Sequence, residues 1–141
     1  MKVTLSDQAR QFIALFEDVT GASARDCVVD EENDRVLILV GAGEMGQAIG
    51  PGGAHVREVE DKLGRDIELI ENADTPEAFV ANALAPAAVY HVTISRNDDM
   101  VAYAEVAQED VGVAIGKGGR NIHAARLFAK RHHDIDDIQL T

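Results

Sequence analysis

VGVAIGKGGRNI, at residues 111–122, repeats MGQAIGPGGAHV, at residues 45–56, after a shift of 66 residues. Six of the twelve positions are identical, and four of those six are glycines. The first and last positions stay apolar in both copies. Such self-similarity within a short chain indicates one structural module used twice. We therefore predict a first domain at residues 1–72 and a second at residues 73–141.

The flanking segments predict the same order of elements, αββααβ, in both modules. In the first module, Ser6 can cap a helix that Gly21 ends. The later predicted elements are strands at residues 27–30 and 35–40, helices at residues 44–49 and up to Leu63, and a strand at residues 66–70. In the second module, Thr75 and Pro76 open a helix that runs to about Leu84. Strands at residues 89–95 and 101–106, a helix from Arg120 and a strand at residues 135–140 complete it. The pattern predicts an α+β fold with a three-stranded sheet covered by helices in each domain.

The glycine cluster of each module indicates a phosphate contact. A tight G-x-x-G turn between two helices directs backbone N–H groups and the positive end of a helix dipole toward one point. Glycine suits this turn because a Cβ would keep a sugar-phosphate backbone away and because the turn requires unusual backbone angles. Lys117 lies inside the second turn, where it can pair with a phosphate directly.

Charge is distributed unevenly along the chain. The 141 residues include 13 Lys and Arg against 25 Asp and Glu, a formal net charge of -12. Residues 112–133 hold five Lys and Arg and three His but no acid. This basic segment coincides with the second glycine cluster, which favours a role for it in binding an anionic partner.

The two loops, Gly50-Pro51-Gly52-Gly53 and Gly116-Lys117-Gly118-Gly119, resemble those of KH domains, and the element order resembles the type II KH fold. More narrowly, residues 114–122 resemble the second KH unit of the NusA-like transcription termination/antitermination family. Two KH units that fill a short chain resemble the archaeal form of that family. The resemblance covers nearly the whole chain. It implies binding of single-stranded nascent RNA. The RNA-binding residues it implies are Gly116, Lys117, Gly118, Gly119 and Arg120 with the groove residues Ile115 and Ile122, and Gly50, Pro51, Gly52 and Gly53.

Departures from the family pattern limit what the resemblance implies. Longer bacterial relatives carry a polymerase-binding domain and an S1 domain, for which we expect no room here, so contact with the RNA polymerase elongation complex stays open. Pro51 stands where a basic residue is usual, and Ala54 stands where the second module has Arg120. We therefore expect the first loop to be the weaker, auxiliary binder.

The acidic composition conflicts with simple electrostatic binding of RNA. It resembles the surface of proteins from halophiles, which work in near-molar salt. In such salt the counterion-release contribution to RNA affinity largely disappears. We expect affinity to come instead from apolar contact and hydrogen bonds to bases in a groove lined by Ile115 and Ile122.

Three other readings of the chain are weaker. The stretch from Gly41 to Gly46 matches the dinucleotide motif G-x-G-x-x-G, but the next glycine cluster would break the helix that such a site requires. No Ser or Thr follows Lys117 as in a P-loop. His123, His132 and His133 lack a carboxylate or thiol partner for a metal, and Cys27 is expected to be buried. We expect no enzyme, cofactor or metal.

A different class of function stays open: a KH pair that serves ribosome assembly or acts as a protein scaffold. A preference for ribosomal RNA, or no preference for RNA, would separate that class from the transcription reading. No apolar run reaches the roughly 18 residues of a membrane span, and residues 1–6 do not form a signal peptide. We expect a cytoplasmic protein.

Overall fold

The computed structural model describes residues 3–141, and two compact units hold residues 4–72 and residues 73–141. Residues 1 and 2 of the predicted first domain lie outside the described residues. Each unit has a three-stranded sheet and the helix-strand order αββααβ. This confirms the predicted α+β fold class.

The first unit follows the predicted order closely. Its elements are helix α1 (Asp7–Thr20), strands β1 (Ala24–Asp30) and β2 (Arg35–Val40), helices α2 (Met45–Ile49) and α3 (Ala54–Leu63), and strand β3 (Asp66–Glu71). Ser6 Oγ accepts a hydrogen bond from the Ala9 N–H at 3.0 Å, and Gly21 ends α1 with a φ of 77°. The central strand β2 pairs antiparallel with β1 and parallel with β3.

The second unit repeats this arrangement. Its elements are helix α4 (Pro76–Ala83), strands β4 (Val89–Arg96) and β5 (Met100–Val106), helices α5 (Val111–Ile115) and α6 (Arg120–His133), and strand β6 (Asp137–Leu140). Thr75 caps α4 by accepting from the Ala78 N–H at 3.2 Å, as predicted. Strand β5 is central, antiparallel to β4 and parallel to β6.

Each unit has its own set of buried apolar side chains. In the first unit, alternate residues Val36, Ile38 and Val40 of β2 pack in one apolar cluster with Phe16 and Val59. In the second unit the buried residues include Ala102, Ala104, Ala125, Phe128 and Ile138. In the second unit the loop residue Gly119 and Leu140 of the edge strand β6 line the same groove.

Several element bounds differ from the predicted ones. Strand β1 begins at Ala24, three residues earlier than predicted, and β6 begins at Asp137 although the apolar run starts at Ile135. Ile135 is 1% exposed, and its N–H donates to the Ala129 carbonyl at the end of α6. Its burial therefore comes from closing the helix, because it precedes the residues that pair in the sheet.

Candidate nucleic-acid interface

The two glycine loops have nearly the same backbone conformation. Gly50 and Gly116 end the short helices with φ angles of 75° and 79°. Gly52 and Gly118 follow with φ angles of 59° and 64°. Two hydrogen bonds close each loop: in the second, the Gly116 N–H donates to the Gly112 carbonyl and the Gly119 N–H to the Gly116 carbonyl, at 2.9 and 3.0 Å. The sequence repeat is thus a repeat of structure.

Two glycines of the second loop are required for different reasons. A Cβ at Gly116 would lie 2.8 Å from the backbone nitrogen of Asn121, so the loop and the start of α6 need its absence. A Cβ at Gly118 would meet no atom within 4 Å. Gly118 is therefore open to solvent, and its lack of a side chain lets a ligand backbone approach the loop closely.

Asn121 and His55 are the second residues of α6 and α3, and each contacts a carbonyl of the short helix before its loop. Asn121 Nδ2 donates to the Ala114 carbonyl at 3.1 Å in the second unit. In the first unit, His55 Nδ1 lies 2.8 Å from the Gln47 carbonyl. Each contact thus joins a carbonyl of the short helix before the loop to the second residue of the helix after it.

The loops differ in charge and in hydrogen-bond donors. Lys117 is exposed at the start of the second loop, and Arg120 begins the 14-residue helix α6. Pro51 occupies the lysine position in the first loop and lacks both a backbone N–H and a positive charge. At this position the second loop therefore has a positive charge and a backbone N–H that the first loop lacks.

A basic side chain that the sequence reasoning missed lies beside the first loop. Arg57, exposed on α3, donates from Nη1 to the Gly52 carbonyl at 2.7 Å. The first loop has no basic residue of its own, but the Arg57 guanidinium places a positive charge beside it. The spacing of four residues between Gly53 and Arg57, one helical turn, is the sequence signal that could have revealed it.

A groove runs beside the second loop. It has a volume of about 500 Å³ and is lined by Val111, Ile115, Gly119, Ile122, Arg126 and Leu140. Ile115 is 38% exposed, whereas Ile122 is 6% exposed and forms part of the floor. The structure therefore brings the two predicted groove residues together with the loop. Arg126 and Leu140 are lining residues that the sequence reasoning did not identify.

Among residues 3–141, no group of three or more His, Cys, Asp or Glu side chains could hold a metal ion. The His133 ring packs on Phe79 with ring centroids 4.7 Å apart. Cys27 is buried, and burial together with the neighbouring Asp26 raises the pKa of its thiol to about 12. These side chains thus belong to the fold.

The glycine-rich stretch at residues 41–46 serves the fold in the same way. The Gly43 N–H donates to the Glu71 carboxylate at 2.7 Å, and the Glu44 carboxylate accepts from the Ser23 N–H at 3.1 Å. Helix α2, which follows, has only five residues. A dinucleotide site requires a longer unbroken helix at this point.

Within the described chain, no helix is both long and apolar enough to cross a membrane.

Comparisons with known families agree with this geometry. Residues 12–75 match the KH domain family, and residues 76–140 match the family described as NusA-like second KH domain. The two matches meet at the start of α4, three residues after the boundary between the two structural units.

Individual proteins are similar over most or all of the chain. It is 61% identical over 141 residues to "Probable transcription termination protein NusA" of Halobacterium salinarum, with 100% of both chains covered. It is 41% identical over 95 residues to "Transcription termination/antitermination protein NusA" of Mycobacterium tuberculosis, covering 66% of this chain and 27% of that one. The crystal structure of APE1850 superposes with a TM-score of 0.84 at 33% identity, covering 97% of this chain and 100% of that one.

Proposed function

Because the chain belongs to the NusA-like family of tandem KH proteins, we propose that it binds single-stranded nascent RNA and acts in transcription termination or antitermination. The observation that carries this proposal is the second loop, where an open glycine turn, Lys117 and an apolar groove adjoin one another. KH loops of this kind clamp a backbone segment of about four nucleotides. Acting on nascent RNA would bring the protein to the RNA polymerase elongation complex.

The second loop would bind the phosphates of the RNA, and the groove beside it would bind the bases. Residues 116–120 would hold the phosphates through the backbone N–H groups of Lys117 and Gly118 and the side chains of Lys117 and Arg120. Ile115 and Ile122 would contact the bases that the bound backbone turns toward the groove. The first loop, residues 50–53, would be auxiliary, with Arg57 as its nearest positive charge.

Groove contacts also fit a protein with a net charge of -12. The Halobacterium salinarum relative comes from a halophile, and we propose that this chain is likewise adapted to high salt. Apolar contact and hydrogen bonds to bases weaken less with salt than phosphate pairing does. RNA binding should therefore persist at near-molar KCl.

The test compares wild type with the double substitution Lys117→Asp and Gly118→Asp in binding to short single-stranded RNA pools, at low and near-molar KCl. The matched control is Pro51→Asp with Gly52→Asp, because Gly52 and Gly118 share the same left-handed backbone region. We expect the second-loop variant to lose at least about tenfold in affinity, since it removes a charge-assisted contact and adds two like charges. The first-loop variant should lose less.

Two results would contradict the proposal. If wild type binds no RNA in either salt, RNA binding fails as a function. If the second-loop variant binds as well as wild type while circular dichroism shows both are folded, the loop is not the clamp.

The competing function is a KH pair for ribosome assembly or for protein scaffolding. Binding that prefers structured ribosomal RNA over unstructured transcripts would favour this alternative. We further propose that the chain is not an enzyme, that it is cytoplasmic because nascent transcripts are made there in archaea, and that its domains are residues 1–72 and 73–141. The boundary between the compact units, at residues 72 and 73, supports the division into two domains.

A further inference from the structure

Glu60 in the first module and Arg126 in the second occupy equivalent positions with opposite charge, and each contacts the edge strand of its own sheet. Arg126 on α6 stands 66 residues after Glu60 on α3, the shift that relates the two loops. The strand registers agree, because Val36 pairs with Ile67 and Ala102 pairs with Ile138. Ile67 and Ile138 are thus equivalent residues of the edge strands β3 and β6.

Arg126 donates to the edge strand. Its Nε and Nη2 lie 3.2 and 2.9 Å from the Ile138 carbonyl oxygen, and its Nε lies 2.9 Å from the Asp137 carboxylate. These contacts hold the guanidinium along the strand, while 44% of the side chain stays exposed where it lines the groove. These contacts use Nε and Nη2, which leaves the two N–H groups of Nη1 and the second N–H of Nη2 as the donors that Arg126 can offer a base in the groove it lines.

Glu60 accepts a hydrogen bond from its edge strand, whereas Arg126 donates to its own. Its Oε2 accepts from the Ile67 N–H at 3.0 Å, so the carboxylate is held against β3 as the guanidinium is held against β6. The module shift and the strand register assign Met45, Ile49, Val56 and Leu69 to the positions of Val111, Ile115, Ile122 and Leu140. Ile49 is 40% exposed, close to the 38% of Ile115. At these equivalent positions the first module therefore carries similar apolar residues, with a carboxylate in place of the guanidinium.

We propose that this position sets the base preference of each module, with Arg126 selecting bases that offer acceptors and Glu60 selecting bases that offer donors. The proposal rests on RNA binding by the two loops. An oriented side chain beside a base pocket discriminates because a base of the wrong pattern leaves a desolvated polar group unpaired.

The chemistry of the bases makes the preferences specific. Two adjacent acceptors suit the arginine fork, and guanine has them at O6 and N7 and cytosine at N3 and O2. Adenine and uracil have no adjacent pair of acceptors. A carboxylate accepts from the amino groups of adenine, cytosine and guanine, whereas uracil offers only its ring N3–H, and the flanking O2 and O4 acceptors of uracil repel a carboxylate there. Adenine is thus the base that separates the two modules.

The experiment uses the full chain with one loop disabled at a time. RNA pools of about five nucleotides, with one position fixed as A, C, G or U and the others random, are titrated. The first-loop variant Pro51→Asp with Gly52→Asp reports the second module. In it, cytosine and guanine should bind about tenfold better than adenine and uracil.

Substitutions at the proposed position then identify the cause. Arg126→Met should abolish the preference, and Arg126→Lys should abolish it while retaining the charge, because an ammonium lacks the planar fork. The control is Lys130→Met, which removes one positive charge four residues along the same helix, where Lys130 pairs with Asp136 outside the groove. It should leave the preference unchanged.

The reciprocal experiment disables the second loop with Lys117→Asp and Gly118→Asp. The first module should then discriminate against uracil, and Glu60→Gln should weaken that discrimination. Glu60→Arg should transfer the preference for cytosine and guanine to the first module.

The outcomes distinguish this inference from the proposed function. If RNA binding depends on the loops but Arg126→Lys keeps the wild-type preference, or Lys130→Met alters it equally, base selection by this position is wrong and RNA binding stands. If wild type binds none of the pools, both are wrong.

Discussion

Gly116 and Gly118 both have positive φ angles, but substitution should cost them different amounts. Gly116 has φ 79° and ψ 166°, a region that essentially only glycine occupies, and a Cβ there would clash with Asn121. Gly118 has φ 64° and ψ 20°, which other residues can adopt at a cost of about 1 kcal/mol. We expect Gly116→Ala to lower the free energy of unfolding by about 3 kcal/mol and Gly118→Ala by about 1 kcal/mol.

Urea unfolding at constant KCl measures these values. Gly112→Ala is the control, since Gly112 lies in helix α5 with ordinary backbone angles and open space around its Cβ position. It should be neutral or slightly stabilising, because alanine favours a helix over glycine. Equal losses at the two loop glycines would show that the clash with Asn121 is relieved at little cost.

Arg35 is a charged residue that the fold buries. Its side chain is 1% exposed, and its Nε donates to Asp30 Oδ2 at 2.8 Å. Arg35→Met leaves the Asp30 carboxylate, itself only 9% exposed, without this partner. We expect a loss of about 3 kcal/mol in unfolding free energy. The exposed pair of Arg10 and Asp7 is the matched control, and Arg10→Met should cost no more than about 0.5 kcal/mol.

The ion pair of Asp30 and Arg35 predicts that the free energy of unfolding falls at acidic pH. Burial acts to raise the pKa of Asp30, but hydrogen bonds from Arg35 and Asn33 outweigh it and hold that pKa below the usual value. A lowered pKa means that the contribution to stability is present above the unfolded pKa of about 3.9 and is lost as pH falls through the folded pKa. Thermal unfolding followed from pH 5 down to about pH 2 should show this loss in wild type, and Asp30→Asn should reduce the slope.

At the scale of the elements, helices α4 and α6 contact each other through the rings of Phe79 and His133, and the histidine can be protonated. Phe79 is buried on α4 against the His133 ring of α6. Burial and the neighbouring His132 lower the pKa of His133, and Asp134 opposes them only partly. The folded state therefore favours the neutral imidazole. Stability should be complete above about pH 6.5 and should decrease as pH falls through the folded pKa.

Thermal unfolding between pH 8 and about pH 5 checks this expectation, with His133→Phe as the comparison. The phenylalanine keeps a ring against Phe79 but cannot be protonated, so the decrease in unfolding temperature over this range should become smaller. An unchanged pH profile would locate the titration elsewhere in the chain.

The element boundaries were largely predictable because they depend on local signals. Ser6, Thr75, Gly21 and Gly64 cap the helices where the sequence indicates. Strand ends were less accurate, since pairing with a neighbour decides them. Ile135 illustrates this limit, because its apolar side chain is buried by the end of α6 before the strand begins.

At the scale of the whole molecule, the excess of 25 acidic over 13 basic residues should make stability depend on salt. The Debye length falls from about 10 Å at 0.1 M to about 3 Å at 1 M, so salt weakens the repulsion among surface carboxylates. We expect the unfolding temperature to rise by about 5 °C or more between 0.1 M and near-molar KCl.

Differential scanning calorimetry across this range measures the effect. Glu32→Lys with Asp98→Lys changes one exposed carboxylate in each hairpin turn and reduces the net charge from -12 to -8. This variant should be more stable than wild type at low salt and less responsive to KCl. A wild-type unfolding temperature that stays flat or falls would show that charge repulsion does not limit stability.

The sequence alone determined the duplicated module, the order of its elements, the α+β fold and the glycine loops, because repeats, helix caps and hydrophobic periods are written locally in the chain. The resemblance of the loops to KH domains, and no local period, predicted Ile115 and Ile122 as groove residues. Only the tertiary structure determined that Arg35 is buried, that Arg57 reaches the first loop, and that Glu60 and Arg126 contact equivalent edge strands. Long charged side chains carry no periodic signal of their partners, and a hydrogen bond to another element forms only after packing has brought that element within reach.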